Sequence, residues 1–427
     1  GTLTLSGVNT YPGTTAINGG VLKLGLAGAV PTGALTIGAT GTFYLNNFNQ
    51  AVTDLSGAGG ITLGSATLTA GAGTDTTFSG MISGTGGLTK DGSGTLTLSG
   101  VNTYTGATTV SNGTLKLGVA SAVATGALEV QSGATFDLNN FNQAVSDLSG
   151  AGGISLGSAT LTAGSTADTT FSGVISGTGS LVKVGEGMLT LAGVNTHTGY
   201  TIVNQGILRI AVAGAQGLGE LIIGPDGTVD FNGFDQTVTN LNGSGPLELN
   251  DASLTAISTE NTTYSGVMSG TGSFIKDGTA TLTLSGKNTY SGATTVAAGT
   301  LSVAGSSPTG TGPVTVELNA VLSGRGTIRG QLIVFGTLKP GNSPGYLQTM
   351  ADVTLETGST YLQDIAGTVQ ANDSSPIGAS GYYAYLNIQG GELRIKPGAT
   401  LTPQLANLFT TGQPGYGSTP YTPALGD

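Results

Sequence analysis

His197 is the only histidine in the 427 residues, and an imidazole that titrates near neutrality is the usual starting point for general acid–base or nucleophilic chemistry. A Ser-His-Asp arrangement needs that ring held by a carboxylate beside an activated serine. Serines are abundant here and none is marked out as that partner. His197 also falls in register with Tyr11, Tyr104 and Tyr290, so it reads as a substituted repeat tyrosine rather than a base. The carboxylates follow the same repeat. Asp54 and Asp147 share one register, filled by Asn240 in the third copy; Asp75 and Asp168 share another, filled by Asn261. Glycoside cleavage needs two carboxyl groups within roughly 5–10 Å. Copies one repeat apart would stand about 20 Å apart at strand spacing, so these positions are expected to be turns or solvated surface.

Other chemistries leave as little trace. Cys is absent, so neither disulfides nor thiolate metal sites are open to the chain. The calcium-binding nonapeptide pattern is missing. The run Gly57-Ala58-Gly59-Gly60 does not open a helix, so it is no phosphate cradle. No catalytic residue, cofactor or metal is therefore assigned. The most regular polar feature is Asn9-Thr10-Tyr11, with equivalents at Asn102, Asn195 and Asn288. It is expected either as a turn in which Asn bonds its own backbone or as a contact site repeated along one face. Asn46-Asn47-Phe48 and Asn139-Asn140-Phe141 pose the same choice.

The elements that must position these residues come from one phrase. Gly94-Thr95-Leu96-Thr97-Leu98-Ser99-Gly100-Val101-Asn102-Thr103-Tyr104 occurs unchanged at Gly1 to Tyr11, and with small changes at Gly187 to His197 and Ala280 to Tyr290. Its first leucines, Leu3, Leu96, Leu189 and Leu282, are each 93 residues apart. Leu22, Leu115, Leu208 and Leu301 keep the same step, as do Phe48, Phe141 and Phe234, and Phe78, Phe171 and Tyr264. A constant period without insertions marks stacked copies of one unit. Three full copies cover 1–93, 94–186 and 187–279, and a partial fourth covers 280–303. The chain opens inside the phrase and so reads as a piece of something longer.

Within a copy, short segments such as Thr95–Leu98, Thr108–Val110, Thr114–Leu117 and Leu128–Val130 alternate apolar with polar residues. That is the period of a strand with one buried face. Asn-Gly, Ser-Gly and Gly-Thr-Gly between them supply turns. Helical spacing is missing, Gln404–Phe409 apart. A propeller blade would have a period of about 40–50 residues, and tandem sandwiches would show linkers. The fold class is therefore all-β, a parallel β-helix with a coil every ~18–23 residues by the alternation rule. One copy then holds roughly four or five coils, identical features recur about every 19–24 Å, and the whole is a rod about 90–110 Å long. Turn glycines serve the corners, and the open last coil needs a cap.

Composition agrees. Charged residues are 8% and Gly numbers 76, without a Gly-X-Y period, which excludes collagen. Plentiful aliphatic residues with only 14 Pro argue against disorder. A formal charge of −11 repels phosphate backbones, so nucleic acid is not an expected partner. No stretch reaches 18 consecutive apolar residues, the length of a spanning helix, and no signal peptide is present. From about Ala304 the text changes: residues 304–412 hold three of the four arginines (Arg325, Arg329 and Arg394) and the cluster Tyr382, Tyr383 and Tyr385. Residues 413–427 form a Gly/Pro/Tyr/Ser-rich tail or linker.

The run from Leu88-Thr89-Lys90-Asp91-Gly92 through Asn102-Thr103-Tyr104 to Gly113-Thr114-Leu115 resembles the passenger-associated repeat of bacterial type V autotransporters. Val321-Leu322-Ser323-Gly324-Arg325-Gly326, followed by Pro340-Gly341-Asn342-Ser343-Pro344-Gly345, resembles the autochaperone region that closes many such passengers. The resemblance implies a right-handed parallel β-helix with a C-terminal capping module that nucleates folding. It also implies export through the protein's own outer-membrane barrel, absent here, to the surface of a Gram-negative bacterium or the medium. The expected function is non-enzymatic adhesion or self-association, toward like chains or host and matrix glycans or proteins. The rivals are a stalk presenting an upstream effector and a polysaccharide-degrading β-helix enzyme.

Overall fold

Leucine alternating with threonine sends one side chain inward and the next to solvent, and the structure is built from that rhythm. The computed structural model describes residues 1–71, 73–341, 345–365, 369–370 and 382–405. The described residues hold strands, turns and bends and no helix. Strands are mostly two to five residues long, and they pair in parallel with strands about 20 residues away in sequence. Parallel pairing at one constant step is the signature of a chain coiling on itself, and the protein is a β-solenoid. Two compact units are formed, Gly1–Gly219 and Glu220–Asp427.

The first unit has three parallel ladders. One runs Leu3–Leu22–Phe43–Ile61–Ile82 and resumes as Gln143–Leu161–Leu181–Thr201. A second runs Leu35–Leu55, Gly57–Phe78–Leu98–Leu117 and Leu115–Phe136–Ile154–Ile175. The third runs Leu68–Leu88–Thr108–Leu128–Leu148, Gly150–Phe171 and Thr169–Leu189–Leu208. Nearly all of these inward positions are buried. Each large aliphatic side chain so placed contributes roughly 1.5–3 kcal/mol by leaving water, but only because the coils above and below cover it.

The repeat does not close on the coil. Four steps of the first ladder take Leu3 to Ile82, and a fifth reaches the Asn102 region, whose side chain bonds Ile82. Leu96 falls between, so one 93-residue copy spans about four and two-thirds coils. Leu3 therefore lies in the first ladder, Leu96 in the second and Leu189 in the third. Equivalent residues were expected to recur along one face. In fact each copy carries them about a third of a turn around the axis, because a coil of about 20 residues does not divide 93.

The second unit keeps the same rung spacing. One ladder runs Gln236–Leu254–Phe274–Thr294–Val314–Leu332–Val353; another runs Leu282–Leu301–Leu322–Leu338–Tyr361. Beyond these the step lengthens: Val353 pairs with Leu393 and Thr360 with Thr400. Between these pairings Ile365 pairs antiparallel with Tyr383.

The helical spacing of Gln404–Phe409, the one exception in a sequence read as having essentially no helix, makes no helix where the chain is described. Gln404 and Leu405 finish the strand Thr400–Leu405, in parallel register with Asp364 and Ile365, and residues 406–409 lie outside the described residues. So do Asn342–Pro344 of the Pro340 to Gly345 run, and the expected tail.

Candidate functional site

The repeated polar phrase forms a corner whose inside and outside do different work. Strand ends Thr95–Leu98 and Thr108–Val110 flank it, and the backbone between them forms no strand. Val101 is 58% exposed while its neighbour Asn102 is 6% exposed. Asn102 Oδ1 accepts the Ile82 amide at 2.6 Å, and its Nδ2 donates to the Ala122 carbonyl. Asn195 does the same between Ile175 and Ala215, and Asn288 between Met268 and Pro308. Asn was expected to bond its own backbone or to face a partner. In these three copies it does neither: the backbone makes one bond to the coil before, from Thr103 to the Ile82 carbonyl, and the Asn102 side chain takes the Ile82 amide that the backbone leaves over. Asn9, in the first coil, keeps the downward bond, to Ala29, and also bonds its own backbone at Gly7, as the turn reading expected.

The aromatic of the phrase is buried beside this bracket. Tyr104 and Tyr290 share hydrogen bonds with Thr108 and Thr294 four residues on, at 2.5 and 2.6 Å. Burial drives both phenols up, Tyr104 to about 12. His197 takes the same seat, fully buried, with Nε2 at 2.9 Å from Thr201 Oγ1. Burial lowers its pKa to about 4, against a smaller opposing pull of the nearby Ile175 carbonyl, so the ring is neutral near pH 7. Nδ1 has no partner, so nothing holds the ring as a carboxylate holds a catalytic imidazole. Gly153-Ile154-Ser155-Leu156-Gly157 has the order of a nucleophile elbow. It forms the strand Gly153–Ser155 with Ile154 and Leu156 buried on either side of Ser155, not a strand-to-helix turn.

The carboxylates are struts. Asp75 and Asp168 accept the amides of Thr95 and Met188, 20 residues on, at 2.7 and 2.8 Å, and Asn261 does so from Thr281. These bonds hold the Asp75 carboxyl below its ordinary range. Asp54 and Asp147 accept the hydroxyls of Thr74 and Ser165, while Asn240 accepts the Thr259 amide. Among the described residues no group of three or more His, Asp or Glu is placed to hold a metal. Asn46, Asn47, Asn139 and Asn140 all have positive φ. They are turn residues, since Asn tolerates the left-handed region.

A repeated lysine went unread. Lys90, Lys183 and Lys276 occupy inward strand positions and are buried. Lys183 Nζ donates to the carbonyls of Val184, Gly185 and Gln205 at 2.7, 2.7 and 3.1 Å, and Lys276 to Asp277, Gly278 and Ala298 at 2.8, 2.9 and 3.0 Å. Burial lowers both ammonium groups to about 8, but three acceptors per cation hold the charged form at neutrality. The stem fills the core while the head pins a corner to the coil below. The signal was available: Lys recurs at the 93-residue step in the Lys-x-Gly sequences at 90, 183 and 276.

Outside, the repeat exposes small apolar spots. Met81, Val174 and Val267 are exposed in one register, and Val8, Val101 and Val194 in another, where the fourth copy has Lys287. Met81 lies one coil from Val101, and Val174 one coil from Val194, at the step that joins Ile82 to Asn102 and Ile175 to Asn195. The two pairs flank different ladders.

Comparison with known sequences gives a consistent picture. Residues 1–24, 88–117, 181–210 and 274–303 match the passenger-associated-transport-repeat family. The chain is 37% identical over 441 aligned residues to the adhesin BmaC autotransporter of Brucella suis biovar 1 (strain 1330), covering 92% of this chain and 12% of that protein. It is 36% identical over 104 residues to an extracellular serine protease of Serratia marcescens, covering 24% of this chain and 10% of the protease. The chain thus spans about an eighth or less of the length of these relatives. No solved structure matches it.

Proposed function

A β-solenoid written in passenger-associated-transport repeats, the chain belongs to the passenger domains of type V autotransporters, and from that premise we propose that it acts without catalysis, in adhesion or self-association. Passengers of this kind are displayed on, or released from, the surface of Gram-negative bacteria. The relatives include one named an adhesin and one named a protease, so the passenger architecture serves both kinds of protein. The adhesive reading is supported chiefly by the displacement of each repeat onto a new ladder. Val101 with Met81, and Val194 with Val174, offer the same apolar pair on two sides of one solenoid. Each pair is worth little alone, but spots linked on one scaffold add through effective concentration. Only 8% of the residues are charged, and this low charge density limits the repulsion between like chains. The partners proposed are a second copy, or glycan or protein at a host or matrix surface. A C-terminal outer-membrane barrel of the same protein is the proposed anchor.

The test is sedimentation velocity across a concentration series, together with adherence of beads carrying the chain to matrix-coated surfaces. We expect concentration-dependent association or adherence, reduced in a Met81→Lys, Val101→Lys, Val174→Lys, Val194→Lys variant. A monomer that adheres to nothing overturns the proposal. The match to a protease over a quarter of the chain supports a second reading, that the solenoid is a stalk for an effector. Adherence that vanishes only when an upstream domain is removed favours that reading.

A further inference from the structure

We infer that Asn112 is a site of self-modification, where the side-chain amide is lost through a cyclic imide and the backbone is rewritten as isoaspartate. Asn-Gly occurs four times, at Asn18, Asn112, Asn232 and Asn242, and reads as turn chemistry. The same pair is chemically labile. The glycine nitrogen, having given its proton to hydroxide, attacks the Asn side-chain carbonyl carbon. The bond from that carbon to Nδ2 breaks, and ammonia leaves with a proton taken from water. Water then opens the five-membered imide at either carbonyl, leaving aspartate or isoaspartate. Glycine favours the closure, because its backbone turns freely and no side chain shields its nitrogen.

The fold selects one pair of the four. Gly113 has a φ of 63°, and a side chain there would begin 2.4 Å from the Gly92 carbonyl oxygen and 2.5 Å from that of Gly94. The coil before therefore obliges glycine after Asn112. Gly20, Gly206 and Gly299 are its counterparts at the 93-residue step, all with positive φ. Gly19, Gln205 and Ala298 precede them, and none of these can form the five-membered ring. Asn112 is exposed, so water reaches it, and the Gly113 amide donates no hydrogen bond among the described residues. Lys90 Nζ donates to the Asn112 backbone carbonyl at 3.1 Å. When the Gly113 nitrogen loses its proton, charge spreads onto that oxygen, where the ammonium stabilises it. The other pairs are placed less well. Gly19 lies inside the strand Thr15–Leu24. Gly243 ends the strand Leu241–Gly243, and its amide donates to Asn242 Oδ1. Beside Asn232 stand two carboxylates: Asp230 accepts the Asn232 amide, and Asp251 Oδ1 lies 2.4 Å from where a Gly233 side chain would begin. Their negative charge opposes an anionic nitrogen.

The product loosens the corner it forms in. Asn112 Nδ2 donates to Asp91 Oδ1 at 2.6 Å; after the reaction a carboxylate faces that carboxylate. Isoaspartate also adds a methylene to the backbone next to the carbonyl that Lys90 holds. The test is peptide mapping by mass spectrometry of the whole chain aged in mildly alkaline buffer, folded and in urea. In urea the four pairs should deamidate at similar rates. In the folded chain Asn112 should convert at least about tenfold faster than the other three, with isoaspartate the main product and Gln205 unchanged. Equal conversion of all four pairs in the folded chain, or conversion of Asn112 in urea alone, overturns the site. Asn112→Gln gives this corner the side chain that the third copy carries at Gln205. The aged native chain should unfold at lower urea than the fresh one, and the aged variant should not. An equal fall in both overturns the effect on the corner.

Discussion

The side-chain carbonyl of Asn102 accepts the backbone amide of Ile82, 20 residues upstream, at 2.6 Å. The same amide group also donates to Ala122, the coil below. One side chain therefore closes a gap in the ladder at a corner from which water is excluded. Asn102→Ala leaves a buried N–H and a buried C=O without partners, and each such group costs about 1–3 kcal/mol. Urea unfolding should show a loss of about 2–4 kcal/mol for Asn102→Ala, and a similar loss for Asn195→Ala. Asn9→Ala, at a half-buried site where the side chain only donates, to Gly7 and Ala29, and bridges no coil above, should cost well under half of that. Equal losses at the three positions would contradict the bracket.

His197 predicts the pH dependence of stability. Its folded pKa, about 4, lies below the ordinary 6.5. Between those values the unfolded chain binds a proton that the folded chain does not, so stability rises with pH across this window. The contribution is fully present above pH 6.5 and is lost as pH falls through 4. Its size is of order 3 kcal/mol. His197→Tyr restores the residue used at Tyr104 and Tyr290, with Thr201 waiting as its hydroxyl partner. Stability measured from pH 7 to 4 should be flatter in this variant, and no lower at pH 7.

Lys183 tests the buried ammonium. Lys183→Met keeps the stem but strips the carbonyls of Val184, Gly185 and Gln205 of their donor. The expected loss is about 3 kcal/mol in urea unfolding. Lys116→Met, at a partly exposed position paired loosely with Asp137, should change stability by less than about 0.5–1 kcal/mol. A neutral Lys183→Met would mean that the cation contributes shape alone.

Deleting Val321 to Tyr361 removes the strands that cover Thr300–Val303 and Val314–Val316. Open edges of apolar strand result, and they invite fraying. The truncated repeats should refold more slowly and be cut faster by protease. Refolding and resistance equal to those of the intact chain would exclude a folding role for the terminal coils.

Much of the fold was legible because alternation of Leu and Thr is a local signal. Thr95–Leu98, Thr108–Val110, Thr114–Leu117 and Leu128–Val130 are strands with the expected bounds. The roles of individual residues were less legible, since they depend on what lies one coil away. Asn102 looks like any turn residue until Ile82 and Ala122 are seen on either side of it. Lys90 looks like a surface cation until its strand is seen to point it inward. The helical spacing at Gln404–Leu405 is overridden for a related reason: these residues are fixed by pairing with Asp364 and Ile365, not by their own composition.

The mismatch between a copy of 93 residues and a coil of about 20 bears on how such a gene can change length. Recombination between like copies gains or loses whole repeats. The strand phrase fits every ladder of the first unit, at Leu3, Leu96 and Leu189 alike, so the new junction heals without a seam and the core is undisturbed. What changes is aim. Everything past the junction swings about a third of the way round, so a lineage that varies its repeat number steers whatever it carries to a fresh compass bearing as well as a new reach.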